Sequence, residues 1–153
     1  MKGYLFDTNY LIYLVDPDAD PEKKKQVLLD LKQKLLDPEV NLFLTTLIRY
    51  EVLRGTKWED NTKLAHLEQA LEQFHTLDIK DEISDLARDL YRFESYELRN
   101  NPQLPTRNLD KRKFDIFHYA TAYLNQLELL TKDTDFNAIA KLHERMRTES
   151  NEN

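Results

Sequence analysis

Tyr4-Leu5-Phe6-Asp7-Thr8-Asn9-Tyr10-Leu11-Ile12-Tyr13-Leu14, near the start of the chain, contains the change of period on which the fold turns. Gly3 to Phe6 reads as a short buried strand, because aromatic and branched side chains suit a pleated surface. Asp7 ends it. Thr8 and Asn9 are suited to capping a helix that carries Leu11, Ile12 and Leu14. Asp16-Pro17-Asp18 then supplies turn chemistry that stops the helix. The order is strand, acid, helix, and it recurs along the chain.

Pro21 to Leu36 reads as a helix with Pro21 in its first turn and Val27, Leu28, Leu31 and Leu35 on one face. Leu42 to Thr45 is a second strand, and Thr46 is placed to cap a helix through Arg54 that Gly55 ends. Glu59 to Phe74 repeats Leu64, Leu67, Leu71 and Phe74 at helical spacing. His75 to Ile79 is a short third strand and Lys80 to Leu98 another helix. Arg99 to Lys111 holds two prolines and several amides, the composition of a surface loop. Lys113 to Gln126 reads as helix, Leu127 to Thr131 as strand and Phe136 to Arg147 as the last helix. The expectation is one domain over residues 1–147 with a frayed tail over 148–153. Strands separated by helices imply an α/β class built on a mainly parallel sheet. In such sheets ligands sit beyond the carboxyl ends of the strands.

The bulk composition narrows the function. The chain has 153 residues, enough to bury a core without covalent staples. It has no cysteine, which removes disulfides, thiolate catalysis and zinc–thiolate sites together. Only Gly3 and Gly55 are glycines, so a glycine-rich phosphate cradle is excluded. No apolar run approaches the ~20 residues of a membrane span, and Met1-Lys2-Gly3 leads straight into a strand without a leader-like apolar core. A cytosolic protein with no membrane partner is expected. The net charge of −6 argues against holding nucleic acid by bulk electrostatics. It is compatible with a metallonuclease, where a bound cation inverts the local charge.

Four acids fall at places this topology gathers. Asp7 follows the first strand, Glu51 lies on the helix after the second, Asp115 opens the helix Phe114-Asp115-Ile116-Phe117-His118-Tyr119-Ala120, and Asp133 follows the fourth strand. Carboxylates brought together repel one another, and some would take up protons. A hard divalent cation resolves this, since Mg²⁺ or Mn²⁺ prefers oxygen donors. Such ions polarise phosphoryl oxygens and lower the pKa of bound water, the chemistry of phosphodiester hydrolysis. Each acid also has a plain structural reading: Asp7 as a helix cap, Glu51 as a solvated helix residue, Asp115 as a first-turn acid and Asp133 as a turn residue. The joint recurrence, rather than any one position, favours a site.

The motifs around these acids resemble those of PIN domains. Leu5-Phe6-Asp7-Thr8-Asn9 is similar to the family's opening motif, and Thr45-Thr46-Leu47-Ile48-Arg49-Tyr50-Glu51 to its second. Asp115-Ile116-Phe117-His118-Tyr119-Ala120-Thr121-Ala122 is similar to the third motif, and Leu130-Thr131-Lys132-Asp133-Thr134-Asp135-Phe136 to the last. All four stand in family order.

The resemblance implies an RNase H-like three-layer α/β/α sandwich with a central sheet of four or five strands. It implies Mg²⁺-dependent RNA cleavage, with Mn²⁺ as substitute, by an acidic metal site of Asp7, Glu51, Asp115 and Asp133. Asp135 would be an outer contributor, and Thr8 and Asn9 would orient Asp7 or its hydrated metal. The short form resembles VapC-type toxins, which implies a homodimer and a cognate antitoxin partner that inserts a C-terminal segment, often with an arginine reaching the acids. The pattern departs from the family at Lys132, where asparagine is common. The long 99–111 loop and a last segment that reads as helix, so that four strands are expected, are further departures.

Arg107, Lys111, Arg112 and Lys113 cluster just before Asp115 and are candidate contacts for RNA phosphates, or else solvated loop charge. His118 reads as a packed or surface histidine. Tyr10, Tyr13, Tyr50, Tyr119 and Tyr123 lie on apolar stripes that favour packing over base stacking. Trp58 is a candidate interface anchor, and Asp78, Asp81 and Glu82 an ordinary helix start. Two other readings remain open: a PIN nuclease of RNA maturation or decay without antitoxin, and a PIN module that binds without catalysis. A small-molecule phosphatase is disfavoured by the lack of an Asp-x-Asp nucleophile pair after the first strand.

Overall fold

In the computed structural model, residues 3–103 and 109–152 are described. Among them the chain forms four strands and seven helices: β1 (Gly3–Phe6), α1 (Thr8–Val15), α2 (Pro21–Lys34), β2 (Asn41–Thr45), α3 (Thr46–Leu53), α4 (Asn61–Leu71), β3 (His75–Leu77), α5 (Asp81–Asn100), α6 (Leu109–Leu124), β4 (Glu128–Leu130) and α7 (Asp135–Glu152). The sheet is all parallel in the order β3-β2-β1-β4. Its four strands meet the lower of the two expected counts, and the segment after Asp133 is helix.

The chain divides into two compact units, one of Met1–Asp78 with Gln126–Lys132 and the other of Ile79–Asn125 with Asp133–Asn153. The first unit holds the whole sheet with α1 to α4. β1 lies between β2 and β4, with Tyr4 opposite Leu42 and Glu128. A strand flanked on both sides in a parallel sheet is covered on both faces, so it reads as a continuous apolar run rather than an alternation. Leu5 and Phe6 are accordingly fully buried, together with Leu11, Leu44 and Ile48. Gly3 is where β1 and β2 come too close for a side chain. A Cβ there would lie 2.6 Å from the Asn41 carbonyl oxygen and 2.8 Å from Phe43 Cε2.

Tyr10 of α1 is buried, and its hydroxyl donates to Asp30 Oδ2 at 2.8 Å. Lys34 donates to the other Asp30 oxygen at 2.8 Å, and Lys132 Nζ lies 4.0 Å from it. Burial pulls the Asp30 carboxyl upward, but the hydrogen bonds from Lys34 and Tyr10 outweigh it and hold the group below the ordinary aspartate value. Burial, and then Asp30 itself, push the Tyr10 phenol upward. Lys24 reaches the last carbonyls of α1, at 3.0 Å from Leu14 O and 3.2 Å from Asp16 O, so a cation closes the negative end of that helix.

The second unit is helical. Ile83, Ala87 and Leu90 are buried on α5, Ala120 on α6, and Ile139 and Leu142 on α7. Glu97 on α5 takes a forked ion pair from Arg145 on α7, at 2.8 and 2.9 Å. Several boundaries differ from expectation. α5 runs on to Asn100 and α6 begins at Leu109, since Leu109-Asp110-Lys111-Arg112 contains no helix breaker. α7 extends to Glu152 rather than fraying after Arg147, again with no glycine or proline to stop it, and Thr148 Oγ1 bonds back to Glu144 O at 3.0 Å.

Two stability effects follow. Gly3→Ala forces the central strand pair apart and is expected to lower stability by about 1–3 kcal/mol, read as a lower urea midpoint. Asp30 binds fewer protons folded than unfolded near its pKa, so its contribution is complete above the unfolded value of ~3.9 and lost as pH falls through the lower folded value. Tyr10→Phe is therefore expected to cost roughly 1–2 kcal/mol at pH 7 and less at pH 3. A penalty independent of pH would show that the Asp30 bond is not its source.

Candidate active site

In the strand order β3-β2-β1-β4 the chain steps one way from β1 to β3, whereas β4 joins the opposite side of β1. The β1/β4 boundary is therefore the topological switch point, the place where open parallel sheets leave a crevice at their carboxyl ends. Asp7 is the first residue beyond β1 and Thr131 the first beyond β4. The Asp7 N–H donates to Leu130 O at 2.9 Å, which continues the ladder by one bond. Thr131 Oγ1 donates to Asp7 Oδ2 at 2.8 Å.

Asp7 stands at the N-cap position of α1 with extended backbone, φ −71° and ψ 145°, and its carbonyl accepts from Leu11 N at 3.0 Å. Its carboxylate makes no capping bond. The plain reading of Asp7 as a cap thus holds for the backbone and not for the side chain. Only 4% of the residue is exposed. A carboxylate so placed is costly unless compensated, and here Thr131 and the positive end of α1 supply compensation.

Glu51 is carried by α3, which starts directly from β2. Thr45, not Thr46, caps that helix: its hydroxyl accepts from Ile48 N at 3.2 Å. The cap falls one residue earlier because Thr45 retains the extended backbone of the strand, φ −115° and ψ 167°. The Glu51 side chain is 11% exposed and accepts from Thr8 Oγ1 at 3.0 Å, with Arg54 Nη2 at 3.8 Å from its second oxygen. Asp7 and Glu51 are therefore each oriented by a threonine hydroxyl. Thr8 was legible in the sequence as a site residue. Thr131 was not singled out, although a hydroxyl immediately after an apolar strand is the signal that would have found it.

The helical unit carries the remaining acids. Asp115 is half-buried and is the seventh residue of α6, so it does not open that helix. Asp133 Oδ1 accepts from Asp135 N at 2.9 Å, an Asx turn that starts α7, and Asp135 is exposed in the first turn. His118 is buried, as a packed histidine should be. Arg112 is paired with buried Glu94 and is not held out to solvent. Lys113 is exposed, its ammonium 5.4 Å from the Phe114 ring centroid. Arg107 and the side chain of Lys111 lie outside the described residues. Asn9 is exposed on α1, and Trp58 is 94% exposed.

The structure thus joins Asp7 to Thr131, Glu51 to Thr8, and Asp133 to the start of α7. Among the described residues, no three His, Asp or Glu side chains stand close enough to hold a metal ion between them. The donors at Asp7 and Glu51 are nonetheless carboxylate and hydroxyl oxygens, the kind a hard divalent cation takes. Mg²⁺ commonly binds through one or two carboxylates, with water and substrate phosphate completing its sphere. The donor chemistry fits such an ion.

Comparison with known proteins agrees with the fold. No curated protein sequence matches the chain. The structure of VapBC2 from Rickettsia felis, bound to a DNA fragment from their promoter, is similar at a TM-score of 0.62 and 16% identity, over 90% of this chain and 92% of that one. A toxin–antitoxin complex from Klebsiella pneumoniae is similar at a TM-score of 0.52 and 25% identity, over 86% of this chain and 87% of that one. The pattern of the PIN domain matches residues 4–142, nearly the whole length and both flanks of the switch point, and the chain therefore belongs to the PIN-domain family.

Proposed function

We propose that this protein is a divalent-metal-dependent endoribonuclease, the toxin of a VapBC-type pair. The observation that carries the reading is the buried Asp7 carboxylate at the β1/β4 switch point, oriented by Thr131, in a chain with a PIN match over 4–142. The two toxin–antitoxin complexes of similar structure support an antitoxin as partner. A homodimer, a cytosolic location and the choice of RNA as substrate belong to the same proposal.

In this reading Asp7, Glu51, Asp115 and Asp133 are the catalytic and metal-binding carboxylates, with Asp135 contributing from outside. A bound Mg²⁺ or Mn²⁺ supplies positive charge against the phosphate and lowers the pKa of coordinated water. The chain's own part is to orient. Thr131 holds one Asp7 oxygen, and Thr8 holds one Glu51 oxygen, so each carboxylate keeps a defined orientation. Asn9, Lys113, Arg107 and Lys111 are assigned to the substrate side. Arg112 contributes there only through its pairing with Glu94. Attack of water on phosphorus with loss of the 3′-oxygen leaves a 5′-phosphate and a 3′-hydroxyl, and no ribose 2′-hydroxyl is required as nucleophile.

Purified protein with Mg²⁺ or Mn²⁺ is expected to cut total cellular RNA into discrete fragments, and both EDTA and Asp7→Asn should abolish this. Cleavage that persists in Asp7→Asn would remove Asp7 from the mechanism. Absence of cleavage by antitoxin-free wild type would leave a binding role instead. Thr131→Val keeps the side-chain shape and removes the hydroxyl. It is expected to lower apparent Mg²⁺ affinity or rate by about 10–100-fold, as loss of an orienting partner does, with Thr131→Ser restoring most of it. An unchanged Mg²⁺ titration for Thr131→Val would show that the Asp7 contact is structural only.

A further inference from the structure

Beyond the acids, the helical unit has a polar groove of about 540 Å³ along α7 and the middle of α6. Its floor is His143, only 4% exposed, whose Nδ1 lies 2.8 Å from the Tyr119 hydroxyl. The imidazole stands edge-on to Tyr119 and Tyr123, at centroid distances of 5.6 and 4.6 Å, and those two rings stack on each other at 6.0 Å. Arg147 donates to the Tyr123 hydroxyl at 3.0 Å. Three aromatic rings thus hold the Tyr119 hydroxyl in one place. Asn137, Lys141 and Arg147 line the groove with it.

The charge there opposes that of the whole chain. Lys141 and Arg147 face one acid, Glu144, in a protein whose net charge is −6. Burial, and then Arg147, hold the His143 imidazole below its ordinary value, so it is neutral at pH 7 and carries one N–H. A phosphate in the groove would select the tautomer with that proton on Nδ1, in which the imidazole donates to the Tyr119 oxygen and the Tyr119 O–H donates into the groove. Burial also raises the Tyr119 phenol, which keeps that donor protonated. A hydroxyl donor, an amide and two cations around one space form a set suited to a phosphate group. Tyr119 is four residues after Asp115 on α6, so it follows on the same helical face about 6 Å further along the axis.

We propose that this groove binds a backbone phosphate of the RNA strand next to the one cleaved. Tyr119 supplies the oriented hydrogen bond, and Lys141 and Arg147 the charge. This rests on the nuclease reading and adds a substrate subsite to it. The strand would be gripped mainly here and at Lys113, which gives an acidic protein a small number of defined phosphate contacts rather than a basic surface.

The test uses the full chain as Asp7→Asn, with a fluorescein-labelled single-stranded 12-nucleotide RNA followed by anisotropy across a KCl series. Arg147→Gln and Lys141→Gln are each expected to weaken binding and to lower the slope of log affinity against log salt by about 0.7, one phosphate contact on a single strand. Tyr119→Phe is expected to weaken binding roughly fivefold, the worth of one hydrogen bond, with the slope unchanged. Lys25→Gln, on the exposed side of α2, serves as the control and should match the parent. Parental affinity and slope in both Arg147→Gln and Lys141→Gln, with wild-type cleavage intact, would overturn the groove and leave the nuclease standing. Failure of wild type to cleave or bind any RNA would overturn the nuclease reading and the groove with it.

Discussion

The hydrogen bond from Thr131 to Asp7 joins the carboxyl ends of two neighbouring parallel strands, and the arrangement of the candidate site depends on it. β1 is enclosed by β2 on one side and β4 on the other, so its body must be apolar and its first polar side chain appears only where the sheet ends. That side chain is Asp7. A buried carboxylate at such a point is tolerated because a hydroxyl from the adjacent strand and the start of α1 both face its charge. Removing either strand from the pair would leave the acid without its orientation.

The second acid of the sheet unit follows the same logic through a different element. β2 passes directly into α3, with Thr45 closing the strand and capping the helix at once. The helix then carries Glu51 to where Thr8, the first residue of α1, can donate to it. Two strand ends, two helix starts and two threonine hydroxyls thereby hold two carboxylates. None of these pieces is unusual alone. Their value lies in the parallel topology, which turns every strand end toward the same edge.

Charge is distributed in keeping with this economy. The chain is acidic overall, and several of its cations are already engaged: Arg112 with Glu94, Arg145 with Glu97, Lys34 and Lys132 with Asp30. In the basic stretch before Asp115, Arg112 is therefore less available to a polyanion than the composition implies. Arg112 shows the reason, since an arginine on a helix that packs against another helix turns its guanidinium toward a buried glutamate. Lys132, the departure from the family's usual asparagine, likewise answers to Asp30, a residue distant in sequence.

The strands, most of the helices and the places of Asp7, Glu51 and Asp133 are legible in the sequence, whereas Asp115 stands within α6 and not at its start. Those features are local: periodicity, turn residues and an acid at a strand end are written in consecutive residues, and the PIN motifs are made of them. The sequence missed the start of α6 and the extent of α7, where a boundary depends on the absence of a breaker rather than the presence of a signal. What each side chain faces depends on segments far apart in the chain. Asp7 accepts from a threonine 124 residues away, Glu51 from one 43 residues away, and Tyr119 meets a histidine 24 residues along the chain. A hydrogen bond between residues so far apart has no local signature, because it exists only once the packing of the sheet or the helices has brought its two ends together.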